Sequence, residues 1–547
     1  MRGALLSGAK IWQGPERGWA CAVAIRDGRF LAIGTDAEAR AALGAGTFGH
    51  EDLAGGYLIP GIFDAHMHPL FGAVFQEAGL ALRDGGGGFL RDAAAVAAAV
   101  RAAAASSAQP GEEWLVGYGW DPALTANPAF DRHLLDRAAP GRAVYLLSLD
   151  AHFALVSTPG LERLGMIAFP PDSGSIPAGG DGRPVGLLLE TPQFIASLRV
   201  LAQMPHERKA EAFLAFQAQA LAAGVTGVTE IVADHAALGF YLRLHQEGRL
   251  RLRLQVSPYG PLCQLGAERD TMLAMLAAAP DAAGWVGLGP VKFLLDGTPG
   301  NHNAAWFQPY ADAASTAGML TIAPDALAAE VAKAVAVGYD LALHAAGDLS
   351  VHVALDAIAA AGPRIQRQDD ANAQWRRVRL RIEHFDNCTA GDLARLPRLA
   401  ERGLVASVQP THFHPVYVAA IERVLGPERM RREYPLASLR RAGIPLALNS
   451  DWPAAMSFAP MDNLRAAVDH GSESLDPGEA LMALTWGNAY AARREHELGT
   501  MAPGYRADAV LLDGDPLGPR TPRVMATMID GNWVAGSLRS LRAQAPI

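Results

Sequence analysis

The stretch LIPGIFDAHMHP, residues 58–69, ends an apolar run with two histidines. Because side chains alternate across a β-strand, His66 and His68 are expected to point to one face and Met67 to the other. Two imidazoles that converge from one strand suit a divalent cation such as zinc. The alternative is a pair of hydrogen-bonded surface histidines at the end of a strand. The spacing of the two histidines does not by itself decide between these interpretations.

The composition of the chain is that of a globular protein, with 547 residues of which 50% are hydrophobic and 19% charged. This length predicts two or three structural units. A net charge of −9 argues against a general nucleic-acid-binding surface. The three cysteines are far apart and form no CxxC pair, which is consistent with a reducing cytoplasm. No signal peptide and no apolar run of membrane-spanning length is evident, so we expect a cytoplasmic protein without nucleic-acid or membrane partners.

The middle of the chain has the rhythm of repeated βα units. After residue 210, apolar runs of strand length alternate with helical stretches. Seven strands are predicted over residues 225–232, 250–258, 288–297, 340–348, 378–386, 404–412 and 445–453. With residues 59–68 as the first strand, the set of eight predicts an α/β fold with a (β/α)8 TIM-like barrel.

Both ends of the chain follow a different pattern from the middle. ACAVAIRDGRFLAIG alternates apolar and polar residues around an Asp-Gly turn, which predicts a hairpin. RADAVLLDGDP and VMATMIDGNWVAGS repeat this pattern near the C-terminus. We therefore predict a small discontinuous β-sandwich domain formed by residues 1–56 and 490–547.

A large insertion separates the first two predicted barrel strands. The barrel would comprise residues 57–75 and 210–489, and residues 76–209 would form an insertion or lid subdomain. The insertion contains the Pro- and Gly-rich stretch FPPDSGSIPAGGDGRPVG, which is typical of a loop or lid. Since loops after barrel strands surround the active site, the insertion is expected to contribute to the substrate pocket.

Residues that can bind metals lie near the ends of several predicted strands. They are His66, His68, Lys292, His344, His384 and Asp451. Because a barrel assembles its chemistry from strand ends, these side chains are expected to point toward a common opening. Each residue has an ordinary alternative: Lys292 could face outward, Asp451 could cap the following helix, and each histidine could simply be hydrogen-bonded.

With these motifs the sequence resembles the amidohydrolase superfamily of metal-dependent hydrolases, in particular the amidohydrolase family 3 branch that includes N-substituted formamide deformylases. The motifs are PGIFDAHMHP, AGVTGVTE, VKFLLDGT, LHAAGD, RIEHFD, LNSDWP and GTMAPGYRADAVLLDGDP. The resemblance extends over essentially the whole chain, including the split β domain and the insertion after strand 1.

The resemblance implies one or two divalent metals per chain, with zinc as the expected ion. The two histidines of strand 1 and Asp451 would bind the more buried metal. Lys292, carboxylated to N6-carboxylysine, would bridge to a second metal bound by His344 and His384. Asp451 would also be the catalytic residue, because in this family it accepts a proton from the attacking water and delivers it to the leaving amine.

A further set of residues is predicted to bind substrate. These are Trp120, Asp121, His152, Glu190, His302, His412 and Trp452. The first four belong to the insertion, and the others flank barrel strand ends, where a pocket would lie. Core packing of the tryptophans and hydrogen bonding of the histidines on loops remain alternatives.

The predicted function is metal-dependent hydrolysis of a carbon–nitrogen bond in a small-molecule linear amide, an N-acyl or N-formyl amine. Cyclic-amide hydrolysis, ester hydrolysis and deamination are alternatives on the same site, although a bridging lysine weighs against deamination. A catalytically silent binding or regulatory protein is the other alternative, and the complete ligand set weighs against it. The oligomeric state stays open, with a homodimer expected only because dimers are the commonest assembly.

Overall fold

In the computed structural model, the described residues are 3–83, 89–106, 114–167, 175–262, 267–361, 378–413, 415–455 and 457–536. Four β-sheets lie within these ranges. One combines the two ends of the chain, one belongs to the insertion, and two parallel sheets form the middle. Part of the predicted lid loop, residues 168–174, and the C-terminal residues 537–547 lie outside the described ranges.

The terminal sheet contains strands from both ends of the chain. Its strands are Gly3–Trp12, Trp19–Arg26, Arg29–Gly34, Phe48–Asp52, Tyr57–Pro60, Ala509–Leu512, Val524–Ile529 and Asn532–Gly536. Tyr57–Pro60 lies between Gly3–Trp12 and Ala509–Leu512 and pairs with both, so it joins the two ends. Strands from both ends of the chain therefore share one sheet.

Two tight hairpins in the terminal sheet follow from Asp-Gly pairs. Asp27 and Gly28 have φ values of 55° and 73°, and Asp530 and Gly531 have values of 46° and 75°. Positive φ at both central residues is the requirement of a type I′ turn, which matches the twist of paired strands. Both hairpins predicted from these pairs are confirmed.

The insertion forms a five-stranded sheet of its own. Its strands are Leu80–Ala81, Leu115–Trp120, Val144–Ser148, Phe153–Val156 and Leu187–Leu189, paired in chain order. The Ala-rich helix Ala93–Ser106 also belongs to the insertion and buries Val96 and Val100. The insertion therefore has its own hydrophobic core.

The two parallel sheets follow the predicted strand order. The first contains Ile62–Met67, Val225–Ala233, Arg253–Pro258 and Val286–Leu288. The second contains Val291–Leu294, Leu341–Ala345, Leu380–His384, Leu404–Val408 and Leu446–Leu448. Neighbouring strands are parallel and consecutive, as βα units require.

Two predicted strands are each divided in the structure. Residues 59–68 divide at Gly61, where an added Cβ would lie 2.8 Å from Thr226 Cγ2, so only glycine allows this close approach. Residues 288–297 divide at Gly289 and Pro290, and Pro290 has no N–H for a sheet hydrogen bond. The strand pieces on either side of each division therefore belong to different sheets.

The two parallel sheets adjoin each other on both sides. On one side, Tyr259 and Lys292 form a parallel β-bridge. On the other side, the Asp451 amide donates to the His66 carbonyl at 2.9 Å, and the His68 amide donates to the Trp452 carbonyl at 2.8 Å. These contacts bring the first strand of one sheet beside the last strand of the other.

Helices connect the strands. The longer ones are Asp36–Leu43, Ala93–Ser106, Arg132–Ala138, Thr191–Gln203, His206–Ala222, His235–Gln246, Ala267–Ala277, Pro324–Val337, Asp348–Ala361, Ala390–Ala400, Pro415–Leu425 and Pro460–Val468. The shorter ones are Pro69–Phe71, Thr158–Arg163, Pro427–Met430, Leu436–Arg441, Pro477–Met482 and Asn488–Ala491. Side-chain caps fix several starts, for example Thr35, Asp234 and Thr389. No helix in the described ranges has the length and apolar character needed to cross a membrane.

A buried ion-pair cluster ties the first parallel sheet to the terminal sheet. Arg253 is fully buried and donates to both carboxylate oxygens of Asp508, at 2.7 and 2.9 Å, and to Asp530 at 2.8 Å. The Arg253 guanidinium also lies over the Trp285 ring, 4.9 Å from its centroid. Because a buried charge is costly unless it is paired, this cluster fixes the position of one sheet against the other.

Candidate metal centre and active site

A cavity opens where strands of both parallel sheets end. Its wall includes all the residues predicted as metal ligands: His66, His68, Lys292, His344, His384 and Asp451. The structure therefore brings together residues from five separate strand ends. Apolar side chains of Phe71, Phe194, Val232 and Leu294 complete the wall.

Three of these residues form the tightest cluster of donor atoms. His66 Nε2 lies 3.2 Å and His68 Nε2 lies 3.4 Å from Asp451 Oδ1, and one donor atom from each of the three lies within 4.8 Å of the others. His66 Nε2 is buried and makes no hydrogen bond to any described residue. A buried nitrogen without a partner is costly, and two imidazoles with a carboxylate fit the ligand preference of zinc. These residues could hold a divalent cation.

A carboxylate behind His66 fixes the orientation of its ring. His66 Nδ1 lies 2.5 Å from Glu383 Oε2, and Glu383 accepts bonds from Arg381 at 2.7 and 3.0 Å. Burial opposes the charged form of Glu383, but Arg381 and His66 outweigh it and hold the pKa of Glu383 well below its usual range. The ionised carboxylate requires a proton on His66 Nδ1, which leaves Nε2 free to face the cavity as a ligand.

Asp64 braces the two strands that carry this cluster. Its carboxyl oxygens accept the amides of His66 and Ser450, both at 3.1 Å. Burial raises the pKa of Asp64 to about 7. Because the two amides belong to the first strand of one sheet and the segment after the last strand of the other, Asp64 keeps His66 and Asp451 together.

Lys292, His344 and His384 lie on the side of the cavity formed by the second sheet. Lys292 is 2% exposed, and burial lowers its pKa to about 8 against the opposing pull of Glu383 and Asp451. The rings of His344 and His384 are 4.3 Å apart, and burial lowers the pKa of both well below the ordinary value. Both imidazoles are therefore neutral at physiological pH and have a lone pair available for a metal.

Several residues in or directly behind the cavity wall have left-handed backbone. His384 has a φ of 72°, Asp451 of 55° and Glu190 of 54°. Residues other than glycine adopt this conformation at a cost of about 1 kcal/mol or more, and such residues concentrate at functional sites. The sharp turn at each position directs its side chain back toward the strand ends.

Asp451 is positioned as an ionised carboxylate. Burial opposes ionisation, but the neighbouring His66, His68 and His384 hold the pKa of Asp451 well below its usual range. His384 Nδ1 lies 3.9 Å from Asp451 Oδ2. A charged carboxylate at the centre of the cavity can bind a cation or accept a proton.

The structure brings two of the predicted substrate residues into one pair at the cavity. His152 lines the wall, and its Nδ1 lies 2.7 Å from Glu190 Oε2. Burial opposes protonation of His152, but Glu190 and Asp150 outweigh it and raise the pKa to about 9. Glu190 also accepts a hydrogen bond from Asn303 at 3.1 Å. A protonated His152 can donate from Nε2 to a group in the cavity.

His412 lies beside Asp451. Its Nε2 lies 4.0 Å from Asp451 Oδ2, and its ring stacks parallel to that of His384 with centroids 6.4 Å apart. Burial lowers the pKa of His412. It lines a second, larger chamber that continues from the first cavity.

Trp120 and Asp121 are not among the residues that line the cavity. Trp120 is fully buried in the core of the insertion, where it packs on Phe130 and donates from Nε1 to the Leu146 carbonyl at 3.0 Å. Asp121 accepts the Ala123 amide at 2.9 Å and so caps a short helical turn. The structure gives both residues structural partners.

Trp452 and His302 are likewise absent from the cavity wall. The Trp452 ring stacks on Phe216 with centroids 4.9 Å apart, and a Cβ added at Gly72 would lie 2.3 Å from it. His302 Nε2 lies 2.7 Å from Asp312 Oδ1. Trp452 therefore packs in the core, and His302 holds a loop.

Sequence analysis missed two carboxylates that organise the site, Glu383 and Asp150. Asp150 accepts a bond from Ser148 at 2.6 Å and from Thr298 at 3.3 Å, and it contacts the amide of Asn301. It therefore ties the insertion to the loop after Val291–Leu294. The available signal was position, since Asp150 precedes His152 by two residues and Glu383 directly precedes His384.

The chain is similar to known proteins over most of its length. The sequence model of the amidohydrolase family matches residues 50–537. Protein LONG AFTER FAR-RED 3 of Arabidopsis thaliana is 29% identical over 524 residues, which are 90% of this chain and 84% of that protein. The N-substituted formamide deformylase of Arthrobacter pascens is 25% identical over 548 residues, 95% of this chain and 94% of that enzyme.

A solved structure shares the fold. It is an uncharacterised metal-dependent hydrolase from Pyrococcus horikoshii OT3, which superposes with a TM-score of 0.70 at 22% identity and covers 94% of this chain and 98% of its own. At this identity the likeness is evidence for the fold alone.

Proposed function

Because this chain belongs to the amidohydrolase family and is a hydrolase of carbon–nitrogen bonds, we propose that it cleaves a linear amide, an N-acyl or N-formyl amine. The observation that carries the proposal is the cluster of His66, His68 and Asp451, in which the buried His66 Nε2 has no hydrogen-bond partner among the described residues. The similarity to a formamide deformylase supports the choice of a linear amide.

The proposed ligands of the first metal are His66, His68 and Asp451, and zinc is the proposed ion. The donor set of two neutral nitrogens and one carboxylate oxygen supports this choice. Glu383 behind His66 supplies the carboxylate–histidine pair that typically orients a zinc-binding imidazole.

For Lys292 we propose carboxylation and a bridging position between two metals, with His344 and His384 as ligands of the second. The lowered pKa of Lys292, about 8, leaves part of the amine neutral at physiological pH. The neutral amine can attack carbon dioxide, forming an N–C bond and releasing a proton. The resulting carbamate is an anionic oxygen ligand. The modification therefore replaces a buried positive charge, which would repel a metal ion, with a negative charge.

The residues around the cavity have complementary roles in the proposed reaction. A bound metal would polarise the substrate carbonyl and lower the pKa of water. Asp451 accepts a proton from the attacking water and delivers it to the nitrogen as the C–N bond breaks, which yields a carboxylic acid and an amine. His152, protonated and held by Glu190, donates from Nε2 to the oxygen on which negative charge develops.

The first test is metal content per chain, measured by elemental mass spectrometry on protein purified without chelators, together with hydrolysis of a panel of N-formyl and N-acetyl amines. We expect about two transition-metal ions per chain in the wild type and fewer in Lys292→Ala. Lys333→Ala is the matched control, since Lys333 lies on a helix and its ion-pair partner among the described residues is Glu330, at 3.8 Å.

The outcomes of this test distinguish the proposed function from its alternatives. A content of one metal ion per chain that is unchanged in Lys292→Ala would refute the bridging role of Lys292. Deamination would then be the next reaction to test. Hydrolysis of esters or cyclic amides in preference to linear amides would refute the proposed substrate. A metal-free protein that no zinc or manganese restores would indicate a binding protein on this scaffold.

We also propose the domain organisation predicted from the sequence. The two adjoining parallel sheets support one (β/α)8 barrel over residues 57–75 and 210–489. The terminal sheet supports a composite β-sandwich of residues 1–56 and 490–547, and the separate sheet of the insertion supports a subdomain over residues 76–209. A homodimer stays a prediction, which light scattering of the purified protein would check.

A further inference from the structure

The cavity beside the proposed metal ligands continues into a larger chamber with an unassigned acidic end. The chamber has a volume of about 200 Å³, and His384 and Asp451 lie in its wall. Its wall also contains Asp386, Glu433 and Tyr434, which we call the acidic end. None of these three residues has a role in the proposed reaction.

Asp386 has an unsatisfied oxygen inside the protein. The residue is 7% exposed, and its Oδ1 makes no hydrogen bond to any part of the chain that the structure describes. Two successive left-handed residues, His384 and Phe385, precede it with φ values of 72° and 52°. Phe385 is fully buried, while Asp386 lines the chamber. A strained turn thus presents a carboxylate to the chamber.

Glu433 lies beside Asp386 on a neighbouring segment of the chain. It is 8% exposed, and its backbone forms an antiparallel β-bridge with Asn387, the residue that follows Asp386. In the described ranges no lysine or arginine forms an ion pair with either carboxyl. The nearby Arg432 instead lies 3.6 Å from Asp348 and donates to the Cys388 carbonyl at 3.3 Å.

The unpartnered Oδ1 of Asp386 and the neighbouring carboxyl of Glu433 are two hydrogen-bond acceptors in the chamber wall that an ammonium or guanidinium group can satisfy. Tyr434 adds an aromatic ring to the same end, packed edge-on against Phe413 at 4.0 Å. Carboxylates and an aromatic ring together are the usual partners of an ammonium or guanidinium group. The same wall includes the aliphatic side chains of Leu149 and Ile421.

We propose that the substrate is an amide joined by an aliphatic chain to a cationic group, and that this ammonium or guanidinium binds between Asp386 and Glu433. The inference rests on the proposed amide hydrolysis, which it deepens by naming the substrate class. The amide would lie beside His384 and Asp451, and the aliphatic chain would lie along the apolar wall.

Binding of matched, non-hydrolysable probes tests this proposal without turnover. One probe is the methanesulfonamide of hexylamine, and the other replaces its terminal methyl group by an ammonium group. Isothermal titration of the metal-loaded protein should give a dissociation constant about tenfold lower for the ammonium probe, the size expected of a charge-assisted hydrogen bond. Equal or tighter binding of the neutral probe, or binding of neither, would overturn the proposal.

Variants test whether the preference for the ammonium probe depends on the carboxyls of Asp386 and Glu433. Asp386→Asn and Glu433→Gln should each abolish most of the tenfold preference while affinity for the neutral probe stays within about twofold. Glu473→Gln is the matched control, because Glu473 is a partly buried carboxylate that binds the amide and hydroxyl of Ser438 at 2.7 and 2.8 Å and does not line the chamber. A preference that survives in both chamber variants would overturn the assignment.

Hydrolysis of the corresponding formamides and acetamides separates this inference from the proposed function. If the ammonium probe binds preferentially but no linear amide is cleaved, the cation-binding role of the acidic end is supported and the proposed amide hydrolysis is refuted. If neutral and ammonium amides are cleaved with equal kcat/KM, amide hydrolysis stands and the cationic substrate is refuted.

Discussion

Replacing Glu383 by glutamine tests how the protein holds its proposed metal ligand His66. Glu383 is fully buried between Arg381 and His66, with contacts of 2.7 and 3.0 Å to the guanidinium and 2.5 Å to the ring. Glutamine keeps the shape and can still accept from His66 Nδ1. It removes the negative charge, however, and turns its amide group toward the donors of Arg381.

The substitution should have two separable consequences. Removing one partner of a buried ion pair costs about 3–5 kcal/mol in the free energy of unfolding, because the Arg381 guanidinium is left without its counter-charge. Loss of a carboxylate behind a metal-binding histidine lowers metal affinity by about 10–100-fold. In Arg381→Met with Glu383→Gln both charges are absent, so stability should recover in large part while metal affinity stays low.

Urea unfolding of the metal-free protein measures the first effect, since bound metal would otherwise add to the stability of the folded state. Competition with a chelating dye measures the second effect. A loss of metal affinity smaller than about twofold in Glu383→Gln would refute the role assigned to the contact between Glu383 and His66. A double variant as unstable as the sum of the single variants would refute the coupling of Glu383 with Arg381.

Three further predictions concern other parts of the site. Asp451→Asn should lower kcat by roughly 100-fold or more while part of the metal stays bound, and near-normal turnover would refute its role in proton transfer. Gly297→Ala would place a Cβ 2.4 Å from Glu190 Oε1 and should lower kcat/KM, whereas Gly287→Ala, with nothing within 4 Å, should not; equal effects of the two would contradict the argument. Burial raises the pKa of Glu230 from 4.5 to about 8, so its contribution to stability is complete below pH 4.5 and is lost as the pH rises through about 8. Glu230→Gln should therefore gain stability over the wild type between these values, and a pH-independent difference in urea unfolding would exclude this explanation.

The strand order could be predicted from the sequence because most of the parallel strands are buried on both faces. Val225–Ala233 is buried at every position, and its sequence VTGVTEIVA is rich in β-branched residues and lies between helices. The exact strand ends were harder to predict. Gly61 and Pro290 interrupt apolar runs that look continuous, and only the neighbouring sheets reveal that the chain changes partner there.

The proposed ligands could be predicted because histidines and an aspartate at strand ends are rare in such apolar surroundings. The tryptophans could not be assigned in the same way. A tryptophan beside a strand end fits a substrate pocket and a core equally well, and the choice for Trp452 depends on Phe216, which is distant in sequence. Contacts between residues far apart in the chain could not be predicted either, since the contact between His66 and Glu383 joins residues 317 positions apart.

The arrangement of the site depends more on the residues behind the cavity than on the donor atoms themselves. Asp64 links the amides of His66 and Ser450, and Glu383 fixes the His66 ring from the opposite side. These contacts join protein groups to one another, so they hold the donor atoms close together. The mutual repulsion of the donor groups and the cost of their desolvation must then be offset by the hydrogen bonds of Asp64 and Glu383. Replacing a proposed ligand such as His68 should therefore lower metal affinity with little loss in the free energy of unfolding of the metal-free protein. Replacing Asp64, which holds the ligands in place, should lower both quantities.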